Sequence, residues 1–213
     1  GRATPYPKRA AVGNLKPPAR SPQGADKREK NMQNIRTDVV VIGSGPGGYV
    51  AAVRAGQLGK KVVCVEKELV GGVCLNIGCI PSKALINAAK QYEKLSHLEA
   101  MGIAVTGATI DIAKLMAWKG TVVDKMTGGV RQLIKSAGGQ LLLGTAKLRS
   151  PRIVEVDGPD GKTTVEADHI IVATGSRPIT VPGFNVDNKR VHDSTGALAL
   201  TAGFLMTEGL IDS

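Results

Sequence analysis

TDVVVIGSGPGGYVAAVRAGQLGKKVVCVE, residues 37–66, decides the fold. The run Asp38-Val39-Val40-Val41-Ile42 is almost wholly β-branched and shows no polar alternation, as a parallel strand buried on both faces requires. A glycine-rich turn follows it. Next comes a helical segment from about Gly47 to Leu58, stopped by Gly59, and then a second strand over Lys61 to Val65. Together they predict a βαβ unit of about 30 residues, and with it an α/β domain built on a parallel sheet.

The turn Gly43-Ser44-Gly45-Pro46-Gly47-Gly48 fits G-x-G-x-x-G. Glycine-rich turns also arise for purely structural reasons, so the pattern gains meaning from its place between a buried strand and a helix. Gly43 permits the tight turn, Gly45 lets the backbone approach a pyrophosphate, and Gly48 lets the helix pack closely on the sheet. The N–H groups and dipole of the helix start then favour the phosphate charge. Glu66 closes the second strand, 23 residues after Gly43. A carboxylate there accepts hydrogen bonds from an adenosine ribose and favours a cofactor without a 2′-phosphate; as an ordinary surface acid it would carry no information. These features specify a dinucleotide and leave FAD and NAD unseparated.

The whole sequence of 213 residues has room for one medium domain, or a domain with a fragment of another. Residues 1–35 read as a disordered basic arm. Residues 1–31 hold eight Lys or Arg against two acids, which is +6 of the net +10, and five prolines. The arm reads as a solvated tail, a contact for an acidic partner, or an organelle-targeting segment, although its prolines spoil an amphipathic helix. The aromatic content of 3% argues against a nucleic-acid stacking surface. No apolar run approaches the roughly 18 to 20 residues of a membrane span, and there is no signal-peptide core. Neither nucleic acid nor membrane is therefore expected as a partner. A cytoplasmic location is expected, or an organelle matrix if the arm is a targeting segment.

Downstream, residues 79–98 read as a helix and 110–136 as one long or broken helix. In the second, Ile112, Leu115, Met116, Val122, Val123, Met126, Val130, Leu133 and Ile134 recur at helical spacing, and Trp118 in the same series is expected in the core. Strand-like runs follow at 140–147, 152–156, 163–166 and 169–173. Gly158-Pro159-Asp160-Gly161 between two of them is a hairpin turn by composition.

Two of the three cysteines, Cys74 and Cys79, stand five positions apart in GGVCLNIGCIPSKAL, residues 71–85. Three readings compete. A zinc site needs two further ligands, and Cys64, His97, His169 and His192 form no recognisable second half; a structural disulfide is uncommon in a reducing cytosol. A redox-active disulfide needs Cα atoms about 4.4 to 6.8 Å apart, whereas five steps of α-helix rise about 7.5 Å. Under that reading the intervening segment is not a regular helix, and Gly78 supplies the bend. If Cys79 begins the next helix, its thiolate gains from the N-terminal dipole. Lys83 lies one helical turn after Cys79 on the same face. It reads either as a cation stabilising a thiolate or a reduced flavin, or as an exposed helix lysine.

The strand, GSGPGGYVAA, Glu66 and GGVCLNIGCIPSKAL together resemble the FAD domain of the dihydrolipoamide dehydrogenases, within the pyridine nucleotide-disulfide oxidoreductases. The run from His169 through Ala173-Thr174-Gly175-Ser176-Arg177-Pro178 resembles the family's later flavin-domain strand and turn, and His192-Asp193-Ser194-Thr195 its transition toward an NAD domain. The resemblance covers about residues 36–200. Glutathione and mercuric reductases carry a CVNVGCVP-type motif, so Leu75, Ile80, Ser82 and Leu85 favour the lipoamide branch.

The resemblance implies a Rossmann-like FAD-binding domain over 36–200, with a parallel sheet, helices and a small antiparallel β-meander. By motif it implies a redox disulfide in which Cys74 exchanges with the dithiol substrate and Cys79 lies nearest the flavin. Lys83 would lie against the flavin ring. Gly43, Gly45 and Gly48 would hold the pyrophosphate, Glu66 the ribose and the backbone near Ala146 the adenine, with Thr174 and Gly175 lining the cofactor. The implied cofactors are FAD, and NAD for the intact enzyme. The implied partners are the lipoyl-bearing subunits of 2-oxoacid dehydrogenase complexes and, in the intact enzyme, a second copy in a homodimer. No metal site is implied.

Residues 201–213, TAGFLMTEGLIDS, depart from the family pattern, and no second glycine fingerprint occurs. None of His97, His169 and His192 is followed by a glutamate at the spacing of the family's His-Glu base. The NAD and interface domains are thus expected to be absent and the chain incomplete. It would then be a portion of the enzyme or, alternatively, a non-catalytic FAD-binding module.

Overall fold

The computed structural model describes residues 33–200 except 180, 185, 189 and 190. The expected tail over 201–213 lies outside the described residues. So does the expected arm over 1–35, apart from 33–35, which open the first strand.

Strand β1 (Gln33–Ile42) leads through the glycine turn into helix α1 (Pro46–Gln57) and strand β2 (Val62–Glu66). Two helices follow, α2 (Gly72–Ile77) and α3 (Cys79–Leu95), and then a 3₁₀ turn at Leu98–Met101 and the long helix α4 (Ile112–Ser136). Strands β3 (Gly139–Leu143), β4 (Thr145–Ser150), β5 (Ile153–Gly158) and β6 (Gly161–Val172) come next, and a short helix α5 (Ser194–Ala197) ends the described chain.

The strands form one six-stranded sheet in the order β3-β2-β1-β6-β5-β4. β3, β2, β1 and β6 run parallel, while β4, β5 and β6 form an antiparallel meander. This is the α/β arrangement expected from residues 36–200.

Because side chains alternate across a strand, the valine run serves two cores at once. Val39, Val41, Val62 and Cys64 pack with Ala52 of α1, Leu75 of α2, and Val130 and Ile134 of α4. Val40, Ile42, Val63 and Val65 face the other way, against Val154, Val156, Val165 and Ala167 of the meander. Over Val39–Ile42 of β1 and throughout β2 neither face meets water, so these positions can be apolar.

Three expectations need correction. The run 140–147 is not one strand: at Gly144 the chain turns with φ +156° and its N–H donates to the Glu66 carbonyl at 2.8 Å, so β3 ends and β4 leaves for the meander. The runs 163–166 and 169–173 are one strand, because β6 pairs with β1 from Gln33↔Thr163 to Ile42↔Val172. Trp118 is 42% exposed rather than in the core. The buried stripe of α4 is Val123, Val130 and Ile134, and at about 100° per residue Trp118 points about 140° away from Val123.

Gly72–Leu95 is, by length and composition, apolar enough to cross a membrane, contrary to the expectation from sequence. Two observations tie it to the fold instead. The helix breaks at Gly78 (φ −140°, ψ −113°), and Leu75 packs into the helix-side core.

The stripe on α4 gives a direct test. Ile134 is 1% exposed and its neighbour Leu133 is 51% exposed. Ile134→Ala is expected to destabilise the chain by about 2–5 kcal/mol, and Leu133→Ala by about 0.5 kcal/mol or less. Urea unfolding of both variants measures the difference; equal losses would show that the helix faces the sheet by another side.

Candidate functional site

The C-terminal ends of β1, β2 and β6 open into one cavity of about 580 Å³. Its wall includes Gly43 and Gly45 of the turn, Glu66 at the end of β2, Cys74 and Cys79, Ala146 at the start of β4, and Thr174 and Gly175 after β6. Parallel strands aim their loops at this edge, where open α/β sheets bind ligands.

The turn is shaped by backbone crowding. Gly43 has φ +101°, and a β-carbon on it would fall on the Ala173 carbonyl. A β-carbon on Gly48 would fall on the Gly43 carbonyl. Gly48 is buried there and forms no part of the cavity wall; it lets α1 close onto β1, as its place in the fingerprint led one to expect. Gly45, the N-cap of α1, is open on the cavity side, with nothing nearer than Gly72 Cα at 3.9 Å from an added β-carbon. No side chain caps α1, its first turn holds no acid, and Pro46 follows the cap. The first-turn N–H groups and the helix dipole are thus left to favour an anion.

Glu66 is 8% exposed and held from both sides. Its Oε2 accepts the Ser44 N–H at 2.9 Å and the Ser44 hydroxyl at 2.7 Å, and its Oε1 accepts the Glu68 N–H at 2.9 Å. Three donors hold the buried carboxylate in one orientation at the cavity wall. Reading the sequence missed Ser44, since the fingerprint leaves that position unspecified. The signal was a hydroxyl beside a buried turn, facing the acid that ends the next strand. Arg177 and Glu68 were missed too; both line the cavity, and they pair at 2.8 Å.

Cys74 sits in the first turn of α2 and Cys79 begins α3, with the chain redirected at Gly78. The segment between the cysteines is helical as far as Ile77, so the expected irregularity is confined to Gly78. The two cysteines are unbridged in the structure. They are in contact: partial burial and the Cys79 side chain push the Cys74 thiol above its ordinary value, opposed by the Cys79 N–H and the charge of Lys83. Lys83 itself is exposed and is not part of the cavity wall. Its charge reaches the cysteine pair, but its ammonium is not buried at the site. Among the described residues no three His, Cys, Asp or Glu side chains group as metal ligands. The site can therefore combine anion binding at a helix start, hydrogen bonding to a ligand hydroxyl at Glu66, and thiol–disulfide exchange at one cavity.

Comparison with known proteins follows the same outline. The model of the pyridine nucleotide-disulphide oxidoreductases matches residues 37–203. The chain is 52% identical over 166 residues to the dihydrolipoyl dehydrogenase of Geobacillus stearothermophilus and 51% identical over 166 residues to that of Bacillus subtilis. Each match covers 78% of this chain and 35% of the relative, so the chain spans about a third of the length of the curated relatives it matches. Among solved structures, LpdA of Mycobacterium tuberculosis aligns with a TM-score of 0.69 at 24% identity, over 79% of this chain and 38% of that one, a likeness of fold.

The third cysteine supplies a control within the same molecule. Cys64 is fully buried, and burial, aided by the Glu66 charge, pushes its thiol up to about 12. Because the folded chain holds this proton where an unfolded chain releases it, the associated stability is complete below about pH 9 and falls as pH rises toward 12. Iodoacetamide at pH 8 is expected to label Cys74 and Cys79 in the native chain, and Cys64 only in denaturant. The urea midpoint should fall between pH 8 and 10.5 more steeply than in Cys64→Ala. Native labelling of Cys64, or equal slopes, would contradict this placement.

Proposed function

Since the chain belongs to the pyridine nucleotide-disulphide oxidoreductase family, we propose that it is the FAD-binding, redox-disulfide portion of a dihydrolipoyl dehydrogenase, oxidising protein-bound dihydrolipoamide with NAD⁺ as final acceptor. The observation that carries this reading is the meeting of a cysteine pair and a dinucleotide-type turn at one cavity. Identity near 50% with two dihydrolipoyl dehydrogenases supports the lipoamide branch over other disulfide reductases.

In this reading the first-turn N–H groups of α1 and the bare backbone of Gly45 hold the pyrophosphate. Glu66 accepts a ribose hydroxyl and disfavours a 2′-phosphate by charge. The backbone near Ala146 borders the adenine, and Thr174 and Gly175 the remainder of the cofactor. Lys83 is assigned beside the flavin ring by resemblance. Gly48 supports the turn from behind.

The chemistry of the pair starts from a Cys74–Cys79 disulfide. A substrate thiolate attacks the Cys74 sulfur, the bridge breaks, and Cys79 leaves as a thiolate at the start of α3. The second substrate thiol, losing its proton, then displaces Cys74. Substrate leaves as the cyclic disulfide, and the chain holds the dithiol. FAD, when bound, supplies the two-electron chemistry that links this dithiol to the nicotinamide. Lipoyl-bearing subunits of 2-oxoacid dehydrogenase complexes are the proposed partners. A homodimer is the proposed assembly, and the cytoplasm or an organelle matrix the proposed location.

A half-reaction tests the reading without requiring NAD⁺. The chain refolded with FAD should retain a bound-flavin absorption spectrum, and anaerobic dihydrolipoamide should bleach it. Cys74→Ser should keep the flavin and lose the bleaching by about 10³-fold or more, as expected on removing a nucleophile. Failure to retain flavin would overturn the cofactor assignment, and undiminished bleaching in Cys74→Ser would overturn the role of the pair. Added NAD⁺ then distinguishes an active dehydrogenase from a module that binds FAD without turnover.

A further inference from the structure

One side chain that the fingerprint leaves unspecified touches all three parts of the site. Ser44 is 0% exposed. Its hydroxyl donates to Glu66 Oε2 at 2.7 Å and accepts the Gly71 N–H at 3.3 Å, while its carbonyl accepts the same N–H at 3.0 Å. Gly71 is the N-cap of α2, and Cys74 lies in the first turn of that helix. Beside this chain of hydrogen bonds the two backbones touch: a β-carbon on Gly72 would lie 2.7 Å from Gly45 Cα. The anion-binding turn and the cysteine helix are thus packed directly on each other, with the Ser44 hydroxyl between the acid and the helix cap.

The geometry points to Ser44 as a positioning residue that couples occupancy of the nucleotide end of the cavity to the reactivity of Cys74. The inference rests on the dinucleotide reading of the site. Glu66 already accepts three donors of the roughly four that a carboxylate can take, so a ribose diol that brings two hydroxyls there competes with Ser44 for the carboxylate. A Ser44 hydroxyl displaced from Glu66 then alters its hold on the Gly71 N–H, and with it the setting of the first turn of α2. Coupling of this kind is reciprocal: a change at Cys74 alters nucleotide affinity by the same factor.

Removing the hydroxyl leaves the Ser44 N–H bond to Glu66 and the Gly71 bond to the Ser44 carbonyl in place, so Ser44→Ala retains the turn. The test uses the full chain with ADP as the probe. Iodoacetamide labelling of each cysteine is followed by mass spectrometry, with ADP binding measured separately by calorimetry. In the parent chain saturating ADP is expected to change the Cys74 labelling rate by about two- to ten-fold, one hydrogen bond's worth of coupling. In Ser44→Ala at its own saturating ADP the change should shrink to less than about two-fold.

An equal ADP effect in both chains would mean that ADP shields Cys74 directly, and would overturn the role of Ser44. ADP binding without any effect on labelling in the parent chain would overturn the coupling. Absence of ADP binding would overturn the dinucleotide reading, and this inference with it. Cys64, buried and unreactive while the chain is folded, reports unfolding in the same experiment. Should Ser44→Ala expose it, Glu66→Gln carries the comparison, because it replaces the charged acceptor of the Ser44 hydroxyl with a neutral one; an undiminished ADP effect there would overturn the inference.

Discussion

Backbone crowding at Gly43 governs the rest of the molecule. Three segments converge there: the end of β1, the start of α1 and the residue that follows β6. A β-carbon at Gly43 would fall on the Ala173 carbonyl, and one at Gly48 on the Gly43 carbonyl. The approach lets β6 run alongside β1 to its last residue and lets α1 lie against the sheet, so that the loops after β1, β2 and β6 share one rim. A side chain at either glycine would push the helix or the strand away and open the cavity. The shape of the binding surface therefore depends on how closely these backbones pack, and glycines stand at the points of closest approach.

The same sheet fixes where the loops of the site begin. β1 and β2 are clamped between helices on one side and the meander on the other, with Val40, Val41, Cys64 and Val65 at 0–1% exposure. Loops rooted in such strands have little freedom at their origin. Glu66 is the last residue of β2, its carbonyl accepts the Gly144 N–H, and its side chain is tied to Ser44 and Glu68. The acid is held by the strand it ends, by the turn it faces and by the loop that follows it.

The sequence made the parallel half of this fold legible because burial on both faces leaves an unbroken β-branched run, and few alternatives accommodate one. The glycine positions were legible in the same way, since Gly43 and Gly48 each meet a separate steric demand. What was less legible depends on long-range partners. Whether 163–173 is one strand depends on β1, which pairs with all of it. Whether Trp118 is buried depends on which face of α4 the sheet takes, and the apolar residues of that helix spread too far round its axis to decide. Ser44 escaped notice because its importance comes from the carboxylate 22 residues away and the glycine 27 residues away, neither of which a local pattern registers.

Three thiols in one small domain raise the problem of exchange with the wrong partner, and the fold answers it by position. Cys64 and Cys74 belong to the same helix-side cluster, so distance alone does not separate them. What differs is the cost of ionisation. Cys64 lies inside the sheet beneath the Gly43 carbonyl and near a carboxylate, and its thiol stays protonated across the physiological range. Only a thiolate attacks a disulfide, so Cys64 is silent without being remote. Cys74 and Cys79 lie at the cavity, where partial burial and the Cys79 side chain also raise the Cys74 thiol, but the Cys79 N–H and the charge of Lys83 oppose that rise, as nothing does at Cys64. Burial that serves the core thereby also restricts exchange to the pair that faces the ligand, and the strand that ends in Glu66 supplies both effects.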